Sequence, residues 1–475
     1  MATSPTWDNA NAVKNPQGST SMISMTQSAI IGGVFSQTHV HQFKSPMELL
    51  QEQVAQSAFH NSAQRIDAPR CHPNTRVVVR EQAYGWIMRK NARSTNTWVL
   101  WLSGAAGGGK SAIAQSLAER CHEENLLLAS FFFSRSDPSR NHAGHLIATI
   151  VYQIHQVVPP PAQALIRSAI EHDPLVWSRD IFTQFRVLVV DPLSRLVRSG
   201  YFQSVEAPRV IIIDGLDECI DRTMQQKVLE LVLGALDMWH LPFLFLIASR
   251  PEPEIKAVFG CQQMTAVLFN IQLDHEYLPD LDIDLFLRDK LHECCCTHPF
   301  RRHIPPEWPS NSAITTLVRK SSGQFIYASV VVKYVTSIRH HPHRQLNIIL
   351  NLRPSPYSPF SELDAVYSQI LSCAVDIPTV RRIISFRLLF PRFSVQDIET
   401  ILGLEGGELP LAISDLASLT YIAEPSSNTG GLLHILHASF EDYLFDRSRS
   451  KDYYVDKTVC YSVNMKTFVS LIIEK

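Results

Sequence analysis

Gly104-Ala105-Ala106-Gly107-Gly108-Gly109-Lys110-Ser111 meets the template G-x-x-x-x-G-K-[ST] at every fixed position. Before it runs Trp98-Val99-Leu100-Trp101-Leu102, a short apolar run of strand type. After it, Ala112 to Arg120 has apolar residues at helical spacing and no breaker. Strand, glycine loop and helix are the context that phosphate binding needs. Glycines let backbone N–H groups of the loop, from Gly104 through Ala105, Ala106, Gly107, Gly108 and Gly109 to Ala112, turn toward an anion. The helix N-terminus adds its positive dipole end. Lys110 is expected to reach the β- and γ-phosphates of a nucleotide, and the Ser111 hydroxyl to ligand Mg²⁺.

The second half of such a site lies further on. Val210-Ile211-Ile212-Ile213-Asp214 is a β-branched run ending in a carboxylate, which predicts a buried parallel strand. Asp214 would then stand at the strand's C-terminal end, where ligands bind in open α/β sheets, as the second Mg²⁺ partner. Asp217 and Glu218 follow at once. Three acids this close repel one another unless a cation is near. Glu218 is the candidate for polarising an attacking water, with Asp217 as rival or helper. Phe243 to Ser249 predicts a third buried strand, and Pro251 keeps Arg250 out of helical backbone. The Ser249-Arg250 pair is placed to sense a γ-phosphate, unless Arg250 only pairs with a surface carboxylate. Leu126 to Phe133 adds a strand, and helices follow at His145–Val157 and Ala162–Glu171. This alternation predicts an α/β fold, a P-loop NTPase parallel sheet with helices on both faces.

Together, Trp101-Leu102-Ser103 entering the loop, Asp214-Gly215-Leu216-Asp217-Glu218 and Ala248-Ser249-Arg250-Pro251 resemble a NACHT domain. That is the nucleotide-binding module of NOD-like receptors, within the STAND class of signalling ATPases. Phe131-Phe132-Phe133-Ser134-Arg135 and Cys71-His72-Pro73-Asn74-Thr75-Arg76 are most similar to the fungal set. The resemblance spans about Ala68 to Asp456. It implies a nucleotide-binding domain over 68–255, a helical domain over 256–353 and a winged-helix regulatory domain over 354–456. A C-terminal tail, 457–475, would follow. Relatives usually continue into ankyrin, tetratricopeptide or WD40 repeats. No internal repeat is found here, so a truncated or sensorless member is expected.

The remaining segments are consistent with that plan. Residues 1–67 are rich in Ser, Thr, Asn and Gln at first and are expected to be largely disordered. Ala29 to Phe35 offers a short strand or docking peptide, and Met47 to Ala58 one amphipathic helix. Beyond Arg250 strand signals fade and helices take over. Asp280–Leu291 predicts a helix ending near Cys294-Cys295-Cys296. Adjacent cysteines cannot all face one ion, so no metal is expected there, nor at Cys71 and His72. His340 to His343 is expected as a loop. In Gly323-Gln324-Phe325-Ile326 the resemblance makes Phe325 the adenine cover; an ordinary core aromatic is the other reading. It also puts the backbone at Thr75 and Arg76 over the adenine. Pro354 to Pro359 is a linker and plausible hinge. Ser394 caps the next helix, with Asp397 at its third position. Helix Leu411–Leu419, strand Tyr421–Ala423, a turn and strand Leu432–Leu436 follow the order of a winged helix. His437 comes next. The resemblance gives it a contact with the β-phosphate of ADP; a packing role is the alternative.

Bulk properties bound the class. The chain has 475 residues, 45% hydrophobic, with net charge −2 and nine cysteines without repeated spacing. Neutral charge offers no overall case for nucleic acid, and the turn between Ile422 and Leu433 holds no Lys or Arg. Reduced thiols, no secretory pattern and no apolar run of ~18 residues predict a cytoplasmic protein without a transmembrane segment. The expected function is a switch that binds ATP or ADP with Mg²⁺, hydrolyses ATP slowly and self-associates in its ATP state. A protein partner is implied but not identified. A nucleotide-bound scaffold without turnover and a winged-helix DNA-binding regulator are the alternatives.

Overall fold

The computed structural model describes residues 44–65, 68–90, 96–204, 207–273, 277–352, 360–423 and 431–462. Its elements all lie in the unit Ser45–Lys475. The Ala29–Phe35 strand, the Pro354–Pro359 hinge and most of the Ile422–Leu433 turn lie outside the described residues.

Five parallel strands form the central sheet: β1 (Val99–Gly104), β2 (Leu127–Phe132), β3 (Val210–Asp214), β4 (Leu244–Ser249) and β5 (Leu268–Leu273), in the order β2-β3-β4-β1-β5. In β1, β3 and β4 successive residues point to opposite faces, as the two-residue period requires. Val99, Trp101, Ile211, Ile213, Phe245 and Ile247 enter one hydrophobic cluster. Leu100, Leu102, Val210, Ile212, Leu244 and Leu246 enter another. The first cluster is closed by helices Leu146–Val157, Pro160–His172 and Arg222–Asp237, the second by Val77–Ile87 and Lys110–Glu123. The fold is therefore an α/β P-loop fold with helices on both faces, followed by a helical region. No helix among the described residues is long and apolar enough to cross a membrane.

Several expectations need correction. The helix expected over Met47–Ala58 is present but shorter, Pro46–Glu52, and Leu50, Ala55 and Ala58 are buried in the first cluster. Ser45 and Glu48 cap that helix reciprocally, and a 3-10 turn at Gln56–Ala58 replaces its expected second half. The sheet does not end with Arg250. β5 pairs with β1 from Val99↔Leu268 to Gly104↔Leu273, beyond the boundary set at residue 255. It is an edge strand, and only Ile271 in it is fully buried, so its signal is weak.

Beyond β5 lie helices Pro279–Thr297, Asn311–Ser321, Phe325–Val335 and Pro342–Asn351. The last takes in His343, so the expected loop there is a helix start with Pro342 at its first position. Helix Ser361–Ser372 belongs to this body too. Leu363, Val366, Tyr367 and Ile370 share a core with Ile314, Leu317 and Val331, and with Phe440 and Tyr443. The boundary at residue 353 thus does not divide hydrophobic cores. A smaller cluster joins helices Ile377–Leu389 and Val395–Leu402 to Leu409, Ile413 and Leu433. Ser394 and Asp397 form the expected capping box, and Gly403 ends the helix at φ +65°. Two short turns, Glu408–Ala412 and Ser414–Leu416, stand where one helix was expected. Strands β6 (Thr420–Ile422) and β7 (Leu433–Ile435) pair antiparallel, and helix Ala438–Phe445 follows His437 directly.

Candidate nucleotide-binding site

The loop Gly104–Gly109 joins β1 to the helix that begins at Lys110. Gly107 and Gly109 have φ of +74° and +93°, the left-handed region that glycine enters without steric cost. This turns the loop's backbone around a cavity of about 570 Å³, lined by Ala106, Gly107, Gly109, Lys110, Ser111 and Ala112. Lys110 Nζ donates to the carbonyls of Gly104 and Ala105 at 2.8 and 2.9 Å. Burial lowers its pKa, while Asp217 and Asp214 favour the charge.

Asp214 ends β3 between β2 and β4 and faces the same cavity. Ser111 bonds to its carboxylate, yet Oδ1 is buried without a hydrogen-bond partner. Burial lifts the Asp214 pKa to about 6. A buried carboxylate with an unmet lone pair beside a hydroxyl is a donor set that fits Mg²⁺. Gly215, at φ +71°, turns the chain so that Asp217 and Glu218 follow in one 3-10 turn. Glu218 is pushed up to about 7 by burial and by Asp217. Its Oε2 accepts the Arg135 backbone N–H at 3.1 Å.

Asp217 binds Arg250 twice, accepting its backbone N–H at 2.9 Å and meeting Nε at 3.2 Å. Ser249 does not join Arg250 in the cavity. It is fully buried, and its hydroxyl takes the Trp101 indole N–H at 2.9 Å. Arg250 reaches away from the sheet to Asp442 of helix Ala438–Phe445, at 2.8 Å. Asp442 also holds Arg135, at 2.9 Å. This pairing was not foreseen: four residues separate His437 from Asp442, and nothing local couples either to β4.

The roof of the cavity comes from the helical region. Ile326 donates its backbone N–H to the Gly107 carbonyl at 3.3 Å. Phe325 lines the cavity, with the Arg76 guanidinium 4.9 Å from its ring centre. Arg76, itself at φ +53°, donates from Nη2 to the Gly108 carbonyl at 3.0 Å and from its backbone to Asp282. Its Nε and Nη1 are buried without hydrogen-bond partners. Thr75 is buried and bonds to the His72 carbonyl. His437 also lines the cavity. Its Nε2 is buried and unpartnered, and burial, then Lys333, holds its pKa at about 3. The imidazole is therefore neutral and able to donate one N–H.

Arg65 and Arg140 also line the cavity. Arg65 is held by Gln115 and by the Phe132 ring, reaching in from the segment read as disordered. Seven Lys and Arg side chains against four carboxylates give the walls a positive surplus. Arg76, Asp214 and His437, each with a buried polar atom that has no hydrogen-bond partner, are among the residues that line it. Unpaired buried polar groups are costly, so each wants a ligand atom. The residues present fit a nucleoside polyphosphate with Mg²⁺.

Residues 77–250 match the family model for the N-terminal region of nephrocystin 3. No curated protein matches the chain. Among solved structures, a chain of Drosophila ORC bound to DNA is similar at 14% identity, over 74% of this chain and 90% of that one, with a TM-score of 0.35. AMPPCP-bound DnaA from Aquifex aeolicus is similar at 11% identity, over 82% and 93%, with a TM-score of 0.28. At such TM-scores neither likeness says what this chain binds. The P-loop NTPase assignment stands on the loop, the strand order and the acidic strand end.

Proposed function

We propose that this protein is a nucleotide-dependent switch of the STAND type, closed with ADP and open with ATP, and that its nucleotide domain is a NACHT module. One observation carries the reading. His437, beyond β7, has an unpartnered buried Nε2 and lines the cavity that the phosphate loop opens into. A nucleotide seated on Lys110 and Ser111 is thus within a space that the C-terminal region also lines. Its β-phosphate is the natural acceptor for the His437 N–H. The segment Val395–Ile435 would then be the regulatory winged helix, and Phe325 with Arg76 the covers of the base.

Ser111 and Asp214 would hold Mg²⁺, which on binding neutralises phosphate charge. Lys110 anchors the phosphates, and Glu218 positions water, with Asp217 keeping Arg250 in place. A glutamate raised to a pKa of about 7 by burial and Asp217 is poised near neutral pH, as suits a group that takes a proton from water. The second reading is a nucleotide-bound scaffold without turnover. In the first reading the slow hydrolysis times a signal, in immunity or programmed cell death in the cytoplasm, and the open form self-associates.

The test is to identify the nucleotide that copurifies with the full chain, and to measure its mass with ADP and with a non-hydrolysable ATP analogue. Lys110→Ala, which removes a phosphate counter-charge and little packing, is expected to hold no nucleotide while melting as the wild type does. Equal nucleotide content in Lys110→Ala and wild type would refute the site. Equal masses in both nucleotides would refute the switch, and bound ATP without turnover would establish the scaffold.

A further inference from the structure

We propose that Asp442 makes this site prefer a nucleoside diphosphate to a triphosphate, by holding the Arg250 guanidinium that a terminal phosphate would otherwise recruit. The inference rests on the nucleotide reading above and adds a residue to it. Arg135, Asp442, Arg250 and Asp217 form one chain of alternating charge, linked at 2.9, 2.8 and 3.2 Å, and Glu218 joins it by accepting the Arg135 backbone N–H at 3.1 Å. Four of the five belong to the nucleotide domain, at the ends of β2, β3 and β4. Asp442 alone comes from the C-terminal region, from the second turn of helix Ala438–Phe445.

Arg250 directly follows β4, which pairs with β3 through Asp214↔Ala248. Ligands in such sheets lie outside the carboxyl ends of the strands. A β-phosphate on the glycine loop would therefore have its next phosphate directed toward Asp214, Asp217 and Arg250. Arg250 lines that cavity, and its charge already acts on Lys110. Arg250 has two carboxylates, one on each side. Asp217 grips the backbone and Nε, so releasing Asp442 leaves the residue anchored with Nη1 available. A diphosphate brings no competitor for that nitrogen. A triphosphate brings a doubly charged one, and guanidinium pairs well with phosphate oxygens.

The two anions cannot both hold Nη1 in full, so triphosphate binding and the Asp442 contact oppose each other. Coupling of this kind is reciprocal. If the triphosphate weakens the contact, removing the contact strengthens triphosphate binding by the same factor. One charge-assisted hydrogen bond corresponds to about tenfold or somewhat more. Asp442 is thus a positioning residue, which acts through Arg250 and touches no nucleotide atom itself.

The experiment is calorimetric titration of the full chain, with Mg²⁺, using ADP and a non-hydrolysable ATP analogue. The proteins are wild type, Asp442→Asn, Arg250→Gln and the double variant. Asp442→Asn is expected to bind ADP within about twofold of wild type and the analogue about tenfold more tightly. In the Arg250→Gln background the same substitution is expected to change the ratio less than about twofold. An unchanged analogue-to-ADP ratio in Asp442→Asn overturns the proposal, and so does an equal loss of both affinities, which marks a packing role. Should Asp442→Asn not fold, amide hydrogen exchange over 438–446 in the wild type decides. Exchange about tenfold faster with the analogue than with ADP supports the proposal, and equal exchange overturns it. If the wild type binds neither nucleotide, the nucleotide reading itself falls, an outcome distinct from binding with an unaltered ratio.

Discussion

Gly107→Ala should loosen the contact between the phosphate loop and the helical region even with no nucleotide present. Two costs can be worked out. Gly107 sits at φ +74°, where a residue with a Cβ carries about 1–2 kcal/mol of strain. The added Cβ would also lie 2.1 Å from Ile326 Cγ2 and 2.9 Å from Ile326 Cβ. A β-branched side chain cannot swing its own Cβ aside, so the backbone of one partner must move. Overpacking of this kind costs about 1–3 kcal/mol, which brings the total to about 2–5 kcal/mol. Urea unfolding of nucleotide-free wild type, Gly107→Ala, Ile326→Ala and the double variant measures both parts. The double variant removes the 2.1 Å clash with Cγ2 and keeps the 2.9 Å approach to Cβ, so it should recover most of the steric share, a coupling of about 1–3 kcal/mol, and retain the conformational share. A coupling within about 0.5 kcal/mol of zero would show that Ile326 does not rest on Gly107 in solution.

Glu218→Gln should leave ATP affinity within about twofold and slow turnover by about a hundredfold or more, as loss of a general base does; normal turnover there, with slow turnover in Asp217→Asn, would exchange the two roles. His437→Ala should release ADP about ten- to a hundredfold faster, since the Nε2 donor to a charged phosphate is lost. It should also raise the oligomer fraction at equal concentration; unchanged off-rates would leave the histidine a packing role. Glu441 is buried, and burial lifts its pKa from 4.5 to about 7. The folded state thus holds this proton more tightly than the unfolded chain, a contribution full below pH 4.5 and lost as pH rises through about 7. Glu441→Gln should therefore gain on wild type by up to about 3 kcal/mol between pH 4.5 and about 8; urea midpoints that stay parallel across that range would count against it.

The parts of the fold that were legible in the sequence are those whose signal is local or whose burial is complete. Val210–Asp214 and Phe243–Ser249 are flanked by strands on both sides and covered on both faces, so every position before the closing Asp214 or Ser249 is apolar. The Ser394–Asp397 cap needs only four consecutive residues. β5 was missed because an edge strand with one buried residue leaves a mixed pattern, Leu268-Phe269-Asn270-Ile271-Gln272-Leu273. The helix expected over Met47–Ala58 was legible in its first half, Pro46–Glu52, but its place in the core was not. It follows a polar stretch, and only contact with helix Leu146–Val157, through the Ala55 N–H on Thr149 at 3.0 Å, reveals where the segment belongs. In the site, Lys110, Ser111 and Asp214 could be named because motif spacing encodes them. Arg65, Ile326 and Asp442 could not, since each acts across a distance along the chain that no spacing rule reaches. Ser249 was misassigned because the strand's alternation places its side chain toward Trp101.

The core that Phe440 and Tyr443 share with Leu317, Val331 and Tyr367 has a mechanical meaning. Close-packed interiors resist gradual deformation and tend toward discrete arrangements. Phe325, Ile326, His437 and Asp442 are therefore mounted on one block, and none can withdraw from the nucleotide domain alone. In the switch proposed above, the grip on the glycine loop, the cover over the base, the reach toward the phosphate and the hold on Arg250 would be released in a single step. Such a device gives an all-or-none answer to a bound ligand, with a threshold set by the sum of four small contacts. Weakening any one of them shifts that threshold without blunting the response.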